Sequence, residues 1–99
     1  MKTLLLAATI GLASWYESGR VTASGRPFRP SHLTCAHRHL PFGTRLRITL
    51  LKTNRSVICH VNDRGPYVRG RVLDLSRGAA KRIGLTQVGV GRVSIRRLG

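Results

Sequence analysis

Asp63 is the residue in this sequence best placed for acid–base chemistry. It is one of three acidic side chains in the chain, and it follows a run of alternating apolar residues at 57–61. The alternation predicts a strand, and Arg64, Gly65 and Pro66 predict a turn directly after it. A carboxylate at a strand end is rigidly held yet exposed, which is typical of catalytic and ligand-binding groups. The alternative is a carboxylate that only bonds the amides of its own turn.

Cys35 and Cys59 are the only two cysteines. His37, His39 and His60 lie near them in sequence, but the spacing matches no common zinc pattern, so we expect no metal and no cofactor. We favour a disulfide, because an exported chain meets oxidising conditions, and two buried thiols are the alternative. A bond that closes a loop of this length contributes roughly 3 kcal/mol in the chain-entropy model.

The charge is strongly positive, with 18 Lys and Arg against 3 Asp and Glu and a formal net charge of +15. Such a charge draws a protein toward polyanions, which include envelope polymers and nucleic acid. Domains that bind nucleic acid usually show a recognition helix, a basic stripe or regularly spaced aromatic residues. The one Trp, two Tyr and two Phe of this chain are not so arranged. We therefore favour an envelope polymer over nucleic acid as the partner.

The N-terminus resembles a truncated secretory signal, because Met1 and Lys2 precede an apolar stretch that ends in small residues near Ala13. The stretch is too short to span a membrane. We expect a short apolar segment at 1–10, a single domain at 11–99, and a periplasmic, secreted or envelope location.

The elements that must position Asp63 are short strands. Alternating apolar residues and turn signals predict strands at 11–16, 44–51, 55–62, 71–75 and 91–98. Asn54 marks the turn of a hairpin, and Ser76 and Gly84 bound a helix at 77–83. Residues 21–30 are predicted to be a polar surface segment, and residues 31–38 a helical turn or a bend. Regularly spaced strands with one helix indicate an all-β fold, a small closed barrel.

Five segments, in order along residues 11–98, strongly resemble the rare lipoprotein A family. They are GLASWY at 11–16, TASG at 22–25, AH at 36–37 with LPFGT at 40–44, VNDRGP at 61–66, and GRVLDLS at 70–76. The resemblance implies a six-stranded double-psi β-barrel with one or two short helices, more distantly related to expansins. It also implies binding to peptidoglycan and lytic transglycosylase activity on glycan strands that lack stem peptides.

The resemblance also implies roles for individual residues. Asp63 matches the family's motif aspartate and would act first as acid and then as base, a role that requires a pKa raised by burial. His37 would bond the sugar or orient Asp63, and its alternative is an ordinary loop histidine. Asp74 would be a second carboxylate on the groove, or else would bond backbone near the helix. Trp15 is a candidate for sugar stacking or for the core. The candidates for substrate binding are Tyr16, Thr22, Asn62, Arg64 and Tyr67.

The sequence departs from the family at Arg26, where many members carry a glutamate. An arginine cannot act as a general base, and Glu17 is the only nearby carboxylate. No cysteine lies near the N-terminus, so we expect no lipid anchor. Two other functions therefore compete with the enzyme. One is a non-catalytic, expansin-like module that binds the cell wall, and the other is a structural component of an envelope or phage assembly, which would be virion-associated.

Overall fold

A computed structural model of the chain describes residues 8–17 and 22–99. The elements are β1 (Thr9–Tyr16), β2 (Thr34–Ala36), β3 (Arg45–Leu50), β4 (Arg55–Asp63), β5 (Arg71–Ser76), helices α1 (Arg77–Ile83) and α2 (Leu85–Val88), and β6 (Gly91–Arg97). The six strands form a closed barrel in the order β1-β5-β2-β4-β3-β6. Strands β1 and β5 are parallel, as are β2 and β4, and the other neighbours are antiparallel. The expected six-stranded barrel is confirmed.

The hairpin of β3 and β4 follows the predicted alternation closely. Leu46, Ile48 and Leu50 point into the barrel and are buried, while Arg45 and Arg47 are exposed. Each buried leucine or isoleucine contributes roughly 1.5–3 kcal/mol through the hydrophobic effect. The turn contains Asn54 at φ 58°, a left-handed conformation that asparagine tolerates better than most residues.

Helix α1 has the predicted bounds. The Ser76 side chain caps its start by accepting a hydrogen bond from the Ala79 amide, and Gly84 ends it in the left-handed conformation at φ 85°. Ala79, Ala80 and Ile83 are fully buried and join the barrel core. Ser76 also donates a hydrogen bond to the carbonyl oxygen of His32, so the cap ties the helix to the chain before β2.

Strand β2 is the element that the sequence analysis missed. The prediction of a helical turn or bend at 31–38 was wrong for Thr34–Ala36, which is a strand of three residues between β4 and β5. A strand this short shows no measurable alternation, and its pairing depends on strands distant in sequence. The polar segment before it is also less exposed than predicted, since Thr22 and Phe28 are buried.

Strand β1 begins earlier than predicted. Thr9 and Ile10 pair with Ile95 and Ser94 of β6, so the barrel includes the end of the segment that we had set apart at 1–10. The rest of the predicted signal, residues 1–7, lies outside the described residues. No helix among the described residues is long and apolar enough to cross a membrane.

The predicted disulfide is confirmed. Cys35 of β2 and Cys59 of β4 are bonded, with a Cα–Cα distance of 5.9 Å. Both side chains point into the core and are fully buried. The bond therefore joins the shortest strand to the central hairpin, next to the strand end that carries Asp63.

Candidate functional site

The two aspartates lie on either side of a small residue. Ala36 of β2 pairs with Asp63 of β4 on one edge and with Asp74 of β5 on the other, and Asp74 in turn pairs with Ser14 of β1. Neighbouring strands are about 4.8 Å apart, so the two aspartate backbones are separated by about 10 Å. Because Ala36 has only a methyl group, the central strand contributes no large side chain between the carboxylates.

The carboxylate of Asp63 is fixed by backbone amides. Its Oδ1 accepts hydrogen bonds from the amide of Arg64 at 2.9 Å and from the amide of Ala23 at 2.8 Å. The first bond is the turn contact given above as the alternative, whereas the second joins the strand end to a loop 40 residues away in sequence. Both bonds end on Oδ1, so Oδ2 has no hydrogen bond to the described residues. Asp63 is therefore oriented, with one oxygen available to a ligand.

Asp74 has a different environment. The Ser14 hydroxyl donates a hydrogen bond to Asp74 Oδ1 at 2.7 Å, and Asp74 does not bond backbone near the helix. Burial raises the pKa of the Asp74 carboxyl above its ordinary value of 3.8 and the charge of Asp63 adds to this, while the Ser14 hydrogen bond and Arg71 oppose the shift. Of the two roles considered for Asp74, a bond to backbone near the helix is not seen among the described residues, and the role of a second carboxylate stays a prediction.

Tyr16 lies close to both aspartates. Its ring stacks on Phe28 with 4.8 Å between the ring centroids, whereas Trp15 packs against the barrel core. Burial first, and then the charges of Asp63 and Asp74, raise the pKa of the Tyr16 hydroxyl, and a nearby Thr34 opposes this. Neither the Tyr16 hydroxyl nor the Thr34 hydroxyl forms a hydrogen bond of good geometry with the described residues. Tyr16 therefore stays protonated and can donate a hydrogen bond.

His37 shapes the loop that follows β2. Its Nδ1 accepts hydrogen bonds from the amides of His39 and Leu40 at 3.0 and 3.1 Å. Burial lowers the pKa of His37, and the charges of His39, Arg38 and Arg64 lower it further. An imidazole that accepts at Nδ1 and stays neutral carries its proton on Nε2. The His37 amide also donates to the Asp63 carbonyl at 3.1 Å, so backbone rather than side chain joins these two residues.

Arg64 holds the same loop from the other side. Its Nη1 donates hydrogen bonds to the carbonyl oxygens of His37 at 3.1 Å and Leu40 at 2.8 Å. The guanidinium lies 4.0 Å from the centroid of the Phe42 ring, a cation–π contact. Arg64 was expected to bind substrate, and the structure shows it fixing residues 37–42.

The remaining predicted binding residues differ in exposure. Thr22 is buried, and its hydroxyl donates to the Arg26 carbonyl at 3.0 Å, which shapes the loop that carries Ala23. Asn62 is half-buried, and its Oδ1 is buried with no hydrogen-bond partner among the described residues. Tyr67 is 76% exposed beside the turn. The Tyr67 ring is therefore exposed enough to stack on a ligand, whereas the Thr22 hydroxyl is already used in a hydrogen bond within its loop.

Position 26 carries an arginine rather than a carboxylate, and the Glu17 carboxylate is paired with a residue of helix α1. Glu17 Oε2 lies 3.6 Å from Arg77 Nε in an exposed ion pair at the start of α1. Arg26 is exposed and lines a cleft of about 570 Å³ together with Asn62. No group of three His, Cys, Asp or Glu side chains within residues 8–17 and 22–99 could hold a metal ion.

Three contributors to this site were not predicted from the sequence. Ser14 lies within the GLASWY segment but carried no local sign of a carboxylate partner. Ala23 contributes only its backbone amide, for which no sequence signal exists. Phe28 supplies the ring that stacks on Tyr16. Its position in a loop between two prolines gave no indication that it is buried.

Comparison with known proteins supports this architecture. The family model described as lytic transglycolase matches residues 8–95. A relative from Synechocystis sp., named a probable endolytic peptidoglycan transglycosylase RlpA, is 50% identical over 103 residues, which cover 96% of this chain and 32% of the relative. The chain thus spans about a third of that relative's length.

Two solved structures share the fold at low sequence identity. The Streptomyces papain inhibitor superposes with a TM-score of 0.77 at 18% identity, covering 93% of this chain and 94% of the inhibitor. The apo expansin of Clavibacter michiganensis gives a TM-score of 0.73 at 20% identity, covering 93% of this chain and 50% of the expansin. With the family model matching nearly the whole chain, this protein belongs to the lytic transglycolase family of rare lipoprotein A-like double-psi β-barrels.

Proposed function

We propose that this protein is an endolytic lytic transglycosylase that cleaves the MurNAc–GlcNAc bonds of peptidoglycan glycan strands. The observation that carries the proposal is the pair of aspartates flanking Ala36 in unlike environments. Asp63 is held by two backbone amides with one oxygen free, whereas the pKa of Asp74 is raised by burial. Two carboxyl groups whose environments differ in this way are suited to opposite proton-transfer roles.

The proposed reaction needs no water. Asp74 donates its proton to the glycosidic oxygen as the bond from that oxygen to C1 of MurNAc breaks. The 6-hydroxyl oxygen of the same MurNAc bonds to C1, and its proton passes to Asp63. The products are a 1,6-anhydro-MurNAc end and a new GlcNAc 4-hydroxyl, and solvent returns the proton from Asp63 to Asp74. This division of roles differs from the single acid–base group expected from the sequence, and it is supported by the pairing of Asp63 and Asp74 with the two edges of Ala36.

The other predicted site residues support this chemistry in different ways. Tyr16, whose protonated hydroxyl is buried, would donate a hydrogen bond to a carboxylate of the site rather than to the sugar. The Nε2–H of His37 would donate to a sugar, and the exposed ring of Tyr67 would stack on one. Asn62 would bond sugar groups next to Asp63, while Thr22 and Arg64 would act through the loops that they hold.

The envelope is the compartment that fits this substrate. A relative's name refers to peptidoglycan, and a structural disulfide is typical of oxidising compartments. The net charge of +15 would hold the protein against anionic envelope polymers.

The test is mass spectrometry of purified peptidoglycan after incubation with the wild-type chain. We expect 1,6-anhydro-muramyl products from the wild type and a loss of at least about 100-fold in Asp63→Asn and in Asp74→Asn. Glu17→Gln is the matched control, because it removes the third acidic residue, which is exposed and paired with Arg77. Folded wild-type protein that releases no anhydro product would refute the enzymatic proposal.

A non-catalytic module that binds the cell wall is the second candidate, and Arg26 is the observation that favours it. An exposed arginine stands where the family's glutamate is expected. Such a module would pull down with peptidoglycan equally in the wild type and in Asp63→Asn, with no anhydro product from either. A structural role in an envelope or phage assembly would give neither binding nor cleavage.

A further inference from the structure

One concave surface of the barrel collects basic side chains beside the catalytic strand end. This cationic cleft has a volume of about 570 Å³, and Arg26, Arg29, His32 and His60 contribute to its lining. Its lining contains no acidic residue, and the three acids of the chain are Glu17, Asp63 and Asp74. Neither arginine forms an ion pair with the described residues. The positive potential of the cationic cleft is therefore not neutralised from within.

The lining of the cationic cleft includes chain neighbours of the residues that hold Asp63, although not Asp63 itself. Asn62 lines the cleft and precedes Asp63 in β4, while Ser24 lines it and follows Ala23, whose amide bonds Asp63 Oδ1. The Ser24 amide in turn donates to the Asn62 carbonyl at 3.2 Å. Successive side chains of a strand point to opposite faces, so Asn62 lines the cleft while the Asp63 carboxylate points to the other face of β4. A glycan strand bound at Asp63 would have to extend past the end of β4 to bring the substituents of a neighbouring ring to the cationic cleft.

A polar atom without a partner lies at the same place. Asn62 lines the cleft, and its Oδ1 is buried with no hydrogen-bond partner among the described residues. Unsatisfied polar groups of this kind are uncommon in folded proteins and often lie where a ligand or water completes the bonding.

A glycan strand of alternating GlcNAc and MurNAc has one anionic group per repeat, the carboxylate of the lactyl ether on MurNAc. A stem peptide converts this carboxylate to a neutral amide, so only glycan without stem peptides carries the charge. We propose that the cationic cleft, through Arg26 and Arg29, binds the lactyl carboxylate of MurNAc that lacks a stem peptide. This inference rests on the proposed function for its substrate, and it gives the arginine at position 26 a role in recognition.

The experiment measures binding apart from cleavage, in the Asp63→Asn background by isothermal titration calorimetry. The two ligands are GlcNAc–MurNAc oligosaccharides without stem peptides, as the free acid and with the lactyl carboxylates converted to methylamides. The free acid should bind about fivefold or more tightly, as expected for two charged contacts at a partly exposed site. In Arg26→Gln/Arg29→Gln, the affinity for the acid should fall to that for the methylamide, with methylamide binding unchanged within about twofold.

Arg92→Gln/Arg96→Gln is the matched control, because it removes two exposed arginines from β6, which neighbours β1 and β3 rather than the cleft. This control should keep the preference for the acid. Equal binding of acid and methylamide to the unmodified cleft would overturn the inference. Competition by inorganic phosphate that depends on Arg26 and Arg29, with no difference between acid and methylamide, would also overturn it and identify a phosphate site. Because the assay scores binding, the inference can fail while the wild type still releases anhydro products.

Discussion

The Ser14 hydroxyl of β1 donates a hydrogen bond of 2.7 Å to Asp74 Oδ1 of β5, between residues 60 positions apart in the sequence. The two strands are parallel neighbours in the barrel, and Ser14 and Asp74 are direct partners in their register. The hydrogen bond favours the charged form of Asp74, whereas burial, the larger effect, favours the protonated form. In the proposed mechanism, this balance sets the pH range in which Asp74 serves as the acid.

Asp74→Asn should stabilise the fold near neutral pH while abolishing activity. Asparagine keeps an oxygen that can accept from Ser14, but it removes a charge that burial disfavours. As the pH rises above 3.8, the unfolded chain loses the Asp74 proton before the folded chain does, so this group lowers the stability of the wild type through that window. The gain in free energy of unfolding should stay below about 1 kcal/mol, because the site is partly open to solvent.

The measurement is chemical denaturation of wild type and Asp74→Asn from pH 3 to pH 8. Their stabilities should converge at the acidic end and separate as the pH rises, whereas the exposed Glu17→Gln control should not show that pattern.

Ser14→Ala should move the alkaline limb of the activity profile to higher pH, because it removes a hydrogen bond that lowers the pKa of Asp74. A limb that moves to lower pH would contradict the acid role of Asp74.

His37→Asn should separate the structural role of His37 from its chemical role. An asparagine Oδ1 can accept the amides of His39 and Leu40 in place of Nδ1, so stability should be close to that of the wild type. His37→Ala should lose about 1–2 kcal/mol, because both amides lose their acceptor. Activity should fall in both variants if the Nε2–H contacts the sugar.

The same histidine should make the fold sensitive to acid. The pKa of His37 in the folded state lies below 6.5, so the unfolded chain takes up this proton first as the pH falls. Stability should therefore decrease below pH 6.5 by an amount that His37→Asn removes. Nitrogen NMR chemical shifts should report a neutral ring protonated at Nε2, and an Nδ1–H tautomer would contradict the structure.

Arg64→Lys should destabilise the protein although it conserves the charge. A lysine cannot donate to the His37 and Leu40 carbonyls in the geometry of the guanidinium, and it lacks the flat face that packs on Phe42. We expect a loss of about 1–2 kcal/mol in the free energy of unfolding by urea denaturation. Arg96→Lys, at an exposed position of β6, should change it by less than about 0.5 kcal/mol.

Removing the disulfide should cost more than any of these changes. The Cys35–Cys59 bond spans 24 residues, and the Cys35→Ala/Cys59→Ala variant should lose roughly 3 kcal/mol. Wild-type protein in reductant should approach the same midpoint of urea denaturation. A variant as stable as the oxidised wild type would show that β2 is held by its strand pairing alone.

Sequence by itself determined the elements whose information is local. The alternation in residues 45–50, the turn at Asn54, and the cap and stop residues Ser76 and Gly84 act over a few positions, so their structure followed from the order of residue types. The motif resemblance and the placement of Asp63 at a strand end were equally visible in the sequence, and both agree with the structure.

Only the tertiary structure decided which distant groups meet. Strand β2 exists because β4 and β5 pair with its two edges, and no local pattern in three residues records this. The bonds of Asp74 to Ser14 and of Asp63 to the Ala23 amide join positions 60 and 40 residues apart. Burial of a carboxyl group and the collection of basic side chains in one cleft depend on how the closed barrel folds the chain onto itself. These properties set the environment of the two carboxylates, and they cannot be derived from local sequence.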